Sequence, residues 1–135
     1  MSAMKIILLP LFGHSVIAGF PNAADDFLEA QLDLNEYLIR HPSATYLAKA
    51  QGNSMIGRGI YDGDTLIVDR HREAQQGDIV IAALDGELTC KIIDTRLKQL
   101  LSANDHMPPI SIAENSELII EGVVIHSIRH HARTR

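Results

Sequence analysis

The chain between Ala23 and Arg40 carries apolar residues spaced roughly as one face of an α-helix. These residues are Phe27, Leu28, Leu32, Leu34 and Leu38. Asp25 and Asp26 would lie in the first turn, where a carboxylate interacts favourably with the helix dipole. Because the residue before a proline disfavours helical backbone, we expect the helix to end at His41-Pro42.

From Thr45 onward the pattern becomes typical of β-strands, with short runs of β-branched and apolar residues between turn signals. The predicted strands are Thr45–Ala50, Thr65–Asp69, Asp78–Leu84, Glu87–Ile93, Leu97–Leu101 and Leu118–Ile128. Asp62-Gly63 and Asp85-Gly86 are turn signals, and the second pair fits a tight hairpin. The pattern therefore predicts a mostly β protein, a compact antiparallel β body with little helix.

The residues before the predicted helix, MSAMKIILLPLFGHSVIAGFPN, have two interpretations. One lysine, an apolar stretch and small residues before Gly19 resemble a weak secretory signal. The proline inside the apolar stretch, the single positive charge and the polar residues that follow argue against export. The alternative is an extended, flexible arm over residues 1–22, followed by a compact domain over residues 23–135. Both interpretations place a cut between Ala18 and Gly19.

Length and charge limit the classes of function. With 135 residues the chain is the size of one domain, and its net charge of −5 disfavours broad binding to nucleic acid or to an anionic membrane. No apolar run approaches the roughly 20 residues that a membrane helix needs. Cys90 is the only cysteine, which excludes an intramolecular disulfide and suits the reducing cytoplasm. We therefore expect a cytoplasmic protein whose partners are proteins.

Ser54 lies between glycines in GNSMIG, just before an apolar strand, and is a candidate nucleophile. A serine hydroxyl needs a neighbouring base, yet no histidine or cysteine stands close to it in the sequence. Lys91 lies on a later strand, where it alternates with residues that would form the apolar face. These residues are Leu88, Cys90 and Ile92. The alternation alone favours a lysine that points to solvent.

The sequence does not favour a metal site. Asp62, Asp64 and Asp69 bracket a turn and lack the spacing of a calcium loop, so we expect solvated turn carboxylates. A group of histidines near the carboxyl end is better explained by a polar tail than by zinc. It comprises His126, His130 and His131. Cys90 is expected to be a small buried residue, and neither a metal nor a cofactor is predicted.

Four segments together closely resemble the LexA-like self-cleaving serine peptidases, and within that family the UmuD-like proteins of the bacterial DNA-damage response. They are GFP at Gly19–Pro21, HPSATYLAKAQGNSMIGRGIYDGDTLIVD at His41–Asp69, GDIVIAALDGELTCKII at Gly77–Ile93 and EGVVIHSI at Glu121–Ile128. The most specific part is the ordered pair of a G-x-S-M motif at Ser54 and a GE-x-T-x-K strand at Lys91, with Ala18-Gly19 upstream. The resemblance covers almost the whole chain from about Leu8 onward.

The resemblance implies that Ser54 is the nucleophile, that a neutral Lys91 is its general base and that the chain cuts itself between Ala18 and Gly19. A lysine with the usual pKa near 10.4 is protonated at neutral pH, so burial would have to lower that pKa. Backbone N–H groups around Ser54 would donate to the oxyanion. The implied fold is the β body of the LexA and UmuD carboxyl-terminal type.

The same resemblance implies a homodimer that cleaves itself when RecA filaments on single-stranded DNA promote the reaction. The shortened form would join a UmuC-type subunit of an error-prone, lesion-bypassing DNA polymerase. Only residues 1–18 precede the cut, which leaves no room for the helix-turn-helix domain of a repressor, so no direct sequence-specific DNA binding is expected. Leu11-Phe12 loosely resembles segments that dock on the polymerase sliding clamp, although these residues could simply pack on the body.

Two other functions remain open. The fold could serve as a polymerase accessory with a silent peptidase, although the presence of Ser54, Lys91 and Ala18-Gly19 together favours an active enzyme. A signal-peptidase-like enzyme would also use serine and lysine. Such enzymes are anchored in membranes, and this sequence shows no membrane span.

Overall fold

The computed structural model describes residues 5–13, 28–114 and 116–133. Its internal contacts divide the chain into two compact units, Met1–Arg40 and His41–Arg135. The predicted boundary between arm and body, after residue 22, and the Ala18-Gly19 bond lie outside the described residues. Within the described part, no helix is long and apolar enough to cross a membrane.

The first unit is built on a two-stranded antiparallel sheet. Strand β1 (Leu8–Phe12) pairs with β2 (Leu28–Asp33), the first residue of β1 lying opposite the last residue of β2. A short helix, α1 (Leu34–Leu38), follows directly. Asp33 caps this helix, because its carboxylate accepts a hydrogen bond from the Asn35 N–H at 3.1 Å.

The helix predicted over Ala23–Arg40 is therefore wrong for residues 28–33, which form a strand, and is helical only over α1. Leu28, Ala30 and Leu32 alternate with polar residues, a spacing that suits a strand as well as a helix. Strand β1 supplies partners for the backbone N–H and C=O groups of β2. Pairing with a distant segment thus overrides the local helical pattern.

The second unit contains a seven-stranded antiparallel sheet in the order β3-β4-β9-β5-β6-β7-β8. Its strands are β3 (Thr45–Lys49), β4 (Thr65–Asp69), β5 (Ile79–Leu84), β6 (Glu87–Asp94), β7 (Gln99–Leu101), β8 (Ile110–Ser111) and β9 (Leu118–Ile128). Short 3-10 turns at Pro42–Ala44 and Ile56–Arg58 precede β3 and β4. The predicted mostly β, antiparallel body is confirmed. Each predicted strand is present with small shifts at its ends, and among the strands of the second unit the short β8 was not predicted.

Asp85-Gly86 forms the predicted tight hairpin between β5 and β6. Leu84 pairs with Glu87, so only the Asp-Gly pair makes up the loop. Both loop residues have positive φ, 50° and 86°, as a type I′ turn requires. This turn sets the register of β6 against β5, in which Lys91 lies opposite Val80.

Two clusters of buried residues form the core of the second unit. The first comprises Met55, Ile60, Leu66, Val68 and Ile81, and the second comprises Val80, Ala82, Ile93, Leu100 and Val123. Met55 and Ile60 belong to the loop between β3 and β4, so this loop is anchored in the core. At Gly122, β9 comes so close to β4 that a Cβ atom would lie 2.5 Å from Val68 Cγ1, and φ is 151°. Only glycine fits such a position without strain.

Candidate active site

Ser54 lies in the loop between β3 and β4, and Lys91 lies on β6. Lys91 Nζ donates a hydrogen bond to Ser54 Oγ at 3.0 Å and another to the Cys90 carbonyl oxygen at 3.4 Å. Both the serine and the lysine are half-buried, so the lysine does not simply point to solvent as strand alternation alone favoured. The structure brings together two residues that stand far apart in the sequence. In its neutral form, a lysine in this position could accept the serine's proton.

Burial lowers the pKa of Lys91 below its ordinary value. Cys90 acts in the opposite direction, since a thiolate beside the lysine would favour the ammonium form. Burial also raises the pKa of Cys90 to about 11, with the lysine opposing that change. The thiol is therefore neutral at physiological pH. Loss of solvation is the effect that governs the lysine, and it favours the neutral amine.

A cleft of about 560 Å³ opens beside the serine and the lysine. Apolar side chains form part of its lining: Met55, Ile60, Leu66, Ile81 and Leu88. Residues 48–52, at the end of β3, also line the cleft. Among the described residues β3 is an edge strand of the sheet, so an extended peptide in the cleft could pair with its outer edge.

Leu88 is not buried with the other residues of the apolar face predicted for β6. It is 70% exposed at the cleft, whereas Cys90 and Ile92 pack against the first core cluster, as predicted. Cys90 is half-buried rather than fully buried. Leu88 lies close to the Asp85-Gly86 turn, where the hairpin extends beyond the core, and alternation along a strand does not show where the core ends.

The loop that carries Ser54 is held where it leaves β3. The Gly63 N–H donates to the Ala50 carbonyl oxygen at 2.8 Å, and the Gly52 N–H donates to Asp62 Oδ1 at 2.7 Å. These bonds tie the start of the loop to the turn that leads into β4. The two ends of the loop that carries Ser54 are thus hydrogen-bonded to each other.

A segment after β7 holds the same loop. The Ala103 N–H donates to the Ser54 carbonyl oxygen, and the Ala103 carbonyl oxygen accepts from the Gly57 N–H, both at 2.7 Å. A Cβ atom at Gly57 would lie 2.7 Å from that oxygen, so this contact needs glycine. Within the described residues, the Ser54 N–H donates no hydrogen bond. It is therefore available to a developing negative charge on a substrate oxygen.

Asp64 and Arg129 form a bidentate ion pair that the sequence did not reveal. Arg129 Nε donates to Oδ1 at 2.9 Å and Nη2 donates to Oδ2 at 2.7 Å. Nη2 also donates to the Gly59 carbonyl oxygen at 2.7 Å, and the guanidinium lies 4.1 Å from the centre of the Tyr61 ring. The hydrogen bond from Arg129 lowers the pKa of Asp64 to about 2. The pair ties the chain after the Ser54 loop to the end of β9.

Two of the three aspartates predicted to be solvated turn carboxylates are buried. The exposed fractions of Asp64 and Asp69 are 3% and 1%, whereas Asp62 is exposed, as predicted. Asp69 Oδ2 lies 2.6 Å from His41 Nδ1, and its Oδ1 accepts from the His71 N–H at 2.8 Å. Partners from elsewhere in the chain make this burial possible, because a buried carboxylate must be hydrogen-bonded. Turn composition alone does not show such partners.

The other candidate residues lie elsewhere. Leu11 and Phe12 are on β1, in the first unit, with exposed fractions of 37% and 54%. Ala18 and Gly19 lie outside the described residues. His126 is on β9 rather than in a tail and is exposed, as are His130 and His131. In the part of the chain that the structure describes, no three metal-ligating side chains lie together.

Comparisons with known proteins agree with the resemblance carried by the serine and lysine motifs. The family described as Peptidase S24-like matches residues 10–125. Protein ImpA of Salmonella typhimurium is 43% identical over 126 residues, which cover 93% of this chain and 85% of ImpA. Protein SamA of Salmonella typhimurium is 44% identical over 124 residues (89% of this chain, 86% of SamA), and Protein MucA of Escherichia coli is 38% identical over 131 residues (96% and 90%). The chain therefore belongs to the Peptidase S24-like family.

Proposed function

We propose that this protein is a serine peptidase that cleaves its own chain between Ala18 and Gly19, with Ser54 as nucleophile and Lys91 as general base. The observation that carries the proposal is the 3.0 Å contact between Lys91 Nζ and Ser54 Oγ beside an open cleft. The lowered pKa of the lysine supports it, since only a neutral amine can accept a proton. Membership of a peptidase family points the same way.

The reaction has two stages. In the first, neutral Lys91 accepts the proton of Ser54 Oγ while that oxygen attacks the carbonyl carbon of Ala18. The Ser54 N–H donates a hydrogen bond to the resulting oxyanion, and the lysine ammonium passes the proton to the departing nitrogen of Gly19. In the second stage, a water molecule attacks the ester that joins the Ala18 carbonyl carbon to Ser54 Oγ. Neutral Lys91 accepts a proton from this water as it attacks. The ester bond breaks and the lysine ammonium returns that proton to Ser54 Oγ. Ala18 leaves as a carboxylic acid, which releases the second proton of the water to solvent and becomes a carboxylate.

The proposal includes regulation and partners, which rest on the resemblance to UmuD-like proteins. RecA filaments on single-stranded DNA stimulate the cleavage, and the shortened homodimer becomes an accessory of a UmuC-type translesion polymerase subunit. This places the protein in the cytoplasm, in the SOS response to DNA damage. The alternative, an accessory with a silent peptidase, is disfavoured because the serine and lysine are in contact.

Intact-mass measurement tests the proposal. The purified full-length protein is incubated with RecA, single-stranded DNA and a nucleotide, and its mass is measured before and after. We expect a new species that begins at Gly19, and we expect a Ser54→Ala variant to stay intact under the same conditions. An unchanged mass of the parent protein beside active RecA filaments would contradict self-cleavage and favour the silent accessory.

We also propose that β1 docks on the polymerase sliding clamp through Leu11 and Phe12. Phe12 is 54% exposed, so an aromatic anchor for an apolar pocket is available on this strand. Capture of the full-length protein by immobilised clamp should weaken when both residues are replaced by alanine. A Leu8→Ala, Leu9→Ala double variant of the same strand is the matched control. Capture that Leu11→Ala with Phe12→Ala leaves undiminished would remove this proposal.

A further inference from the structure

Asn104, in the segment after β7, contacts the Ser54 loop and has no role in the mechanism proposed for Ser54 and Lys91. Its Nδ2 donates a hydrogen bond to the Asn53 carbonyl oxygen at 3.0 Å. Its Oδ1 accepts a hydrogen bond from the His106 N–H at 3.0 Å. The side-chain amide therefore has one acceptor and one donor as partners, which fixes which end faces the loop.

The bond to Asn53 acts on the residue that follows it. The peptide unit between Asn53 and Ser54 is planar, and its C=O and N–H point in opposite directions. A contact that holds the Asn53 oxygen therefore also holds the Ser54 N–H. This N–H donates to no atom in residues 5–13, 28–114 and 116–133, and it is the group assigned above to the oxyanion. Asn104 thus holds the peptide unit at the edge opposite the proposed oxyanion donor.

The neighbouring residue holds the next peptide unit in the same way. The Ala103 N–H donates to the Ser54 carbonyl oxygen at 2.7 Å. Consecutive residues of one segment thus hold the peptide units on both sides of the Ser54 Cα atom. Because the Cα substituents have fixed tetrahedral directions, the orientation of the Ser54 side chain depends on both contacts. Ala103 uses its backbone, so Asn104 supplies the one side chain in this arrangement.

We propose that Asn104 is a positioning residue for the peptidase reaction, holding the Ser54 N–H in the direction in which the oxyanion forms. This inference rests on the proposed self-cleavage and adds a residue to it. Asn104 forms no hydrogen bond with Lys91 or with Ser54 Oγ in the described structure, so it orients backbone and transfers no proton. If Asn104 only stabilised its own turn, the hydrogen bond from the His106 N–H would be sufficient. The additional bond to the Asn53 carbonyl oxygen connects it to the Ser54 loop.

Three variants separate these roles. Asn104→Asp keeps an oxygen for the His106 N–H but places a second oxygen, without a proton to donate, against the Asn53 carbonyl. Asn104→Ala removes both bonds and adds no charge. His106→Asp is the matched control, because it adds a negative charge to the same segment while keeping Asn104 and the backbone N–H at position 106.

Slow self-cleavage of the full-length chain without RecA is followed by intact mass from about pH 7 to about pH 10, across the range in which a lysine of lowered pKa titrates. In both Asn104 variants we expect the rate at the alkaline end to fall about 10- to 100-fold, since a misplacement of about 1 Å can reduce a rate about 100-fold. The midpoint of the pH dependence should not move in Asn104→Ala, because Lys91 keeps its surroundings. His106→Asp should cleave at the parent's rate. If Asn104 had a merely structural role, its variants would not lower the cleavage rate while leaving the midpoint of the pH dependence unchanged.

Circular dichroism at the assay temperature shows whether each variant is folded. If an Asn104 variant is unfolded, Asn104→Ser is used in its place. A parent-like rate in folded Asn104 variants at every pH would overturn the inference and leave the serine and lysine mechanism standing. An equal loss in His106→Asp would also overturn it, by showing that the rate responds to substitutions in this segment that keep both Asn104 bonds. A parent protein that never cuts itself, with or without RecA, would contradict the proposed function and this inference together.

Discussion

The two units differ in how much of their apolar surface is buried. Every residue of β1 is exposed, whereas Val68, Val80 and Leu100 in the second unit are completely buried. A two-stranded sheet without a packed face is marginally stable by itself, while a close-packed core can hold a loop in one geometry. The candidate catalytic residues thus lie in the unit with the packed core. The proposed cleavage site lies in the sequence range of the first unit, whose described residues contribute no side chain to either core cluster.

Loss of self-cleavage is the largest effect expected, and it comes from changes in the second unit. Ser54→Ala should abolish cleavage at every pH, because the proposed nucleophile is gone, and Lys91→Ala should do nearly the same. Lys91→Arg keeps the positive charge but should also fail, since a guanidinium stays protonated and cannot act as a base. Intact mass reports cleavage, and urea unfolding reports whether the sheet persists. A Lys91→Ala protein that cuts at the parent's rate would disprove the mechanism.

The pH dependence of the parent protein sharpens this prediction. Burial lowers the pKa of Lys91 and the proposed base is the neutral amine, so the rate without RecA should rise from about pH 7 towards about pH 10 and level off above that pKa. An imidazole base with a pKa of about 6.5 would already be neutral, and the rate would be flat over this window. A flat profile would therefore indicate a base other than lysine.

A pair of leucines tests the difference in packing directly. Leu100 is completely buried and Leu8 is 57% exposed. Leu100→Ala should lower the free energy of unfolding by about 2 to 5 kcal/mol, because it leaves a cavity in the core. Leu8→Ala should change it by less than about 0.5 kcal/mol, as is usual for surface positions. Urea unfolding of both variants measures the two values, and similar values would refute the contrast between the units.

A smaller, pH-dependent effect is expected at the Asp64 and Arg129 pair. The pKa of Asp64 is about 2 in the folded protein, below the value of about 3.9 in an unfolded chain. A carboxyl whose pKa is lowered by folding stabilises the fold above its unfolded pKa, and that contribution is lost as the pH falls from about 4 through about 2. The difference in urea midpoint between the parent and Asp64→Asn should therefore be greatest at pH 7 and shrink towards pH 2.

The matched control is Asp62→Asn, on the same turn, which keeps an oxygen for the Gly52 N–H. Its difference from the parent should be small at both pH values. A difference for Asp64→Asn that stays constant from pH 7 to pH 2 would show that the ion pair contributes no pH-dependent stability.

The smallest effect on the sheet is expected from removal of the arm. A chain that begins at Gly19 should stay folded and dimeric, with a urea midpoint close to that of the full chain, because both core clusters lie in the second unit. Sedimentation and urea unfolding measure this. A monomer at micromolar concentration would contradict the predicted homodimer, and a large loss of stability would show that the first unit contributes to the sheet.

The contrast between correct and wrong predictions follows the range of the interactions involved. The hairpin at Asp85-Gly86 and the strands of the second unit other than β8 could be predicted, because turn chemistry and strand alternation depend on neighbouring residues. The helix over Ala23–Arg40 failed at β2, because a strand partner from a distant segment changed the outcome. Burial of Asp64 depended likewise on Arg129, far along the chain.

For the candidate site, sequence motifs identified Ser54 and Lys91 through their resemblance to a family, and their catalytic roles stay predictions. Alternation along β6 by itself favoured a lysine that points to solvent. Only the tertiary structure placed Nζ 3.0 Å from the serine oxygen, half-buried the lysine and set Asn104 behind the Ser54 peptide. Hydrogen bonding and loss of solvation depend on segments brought together by the sheet, which local sequence patterns do not specify.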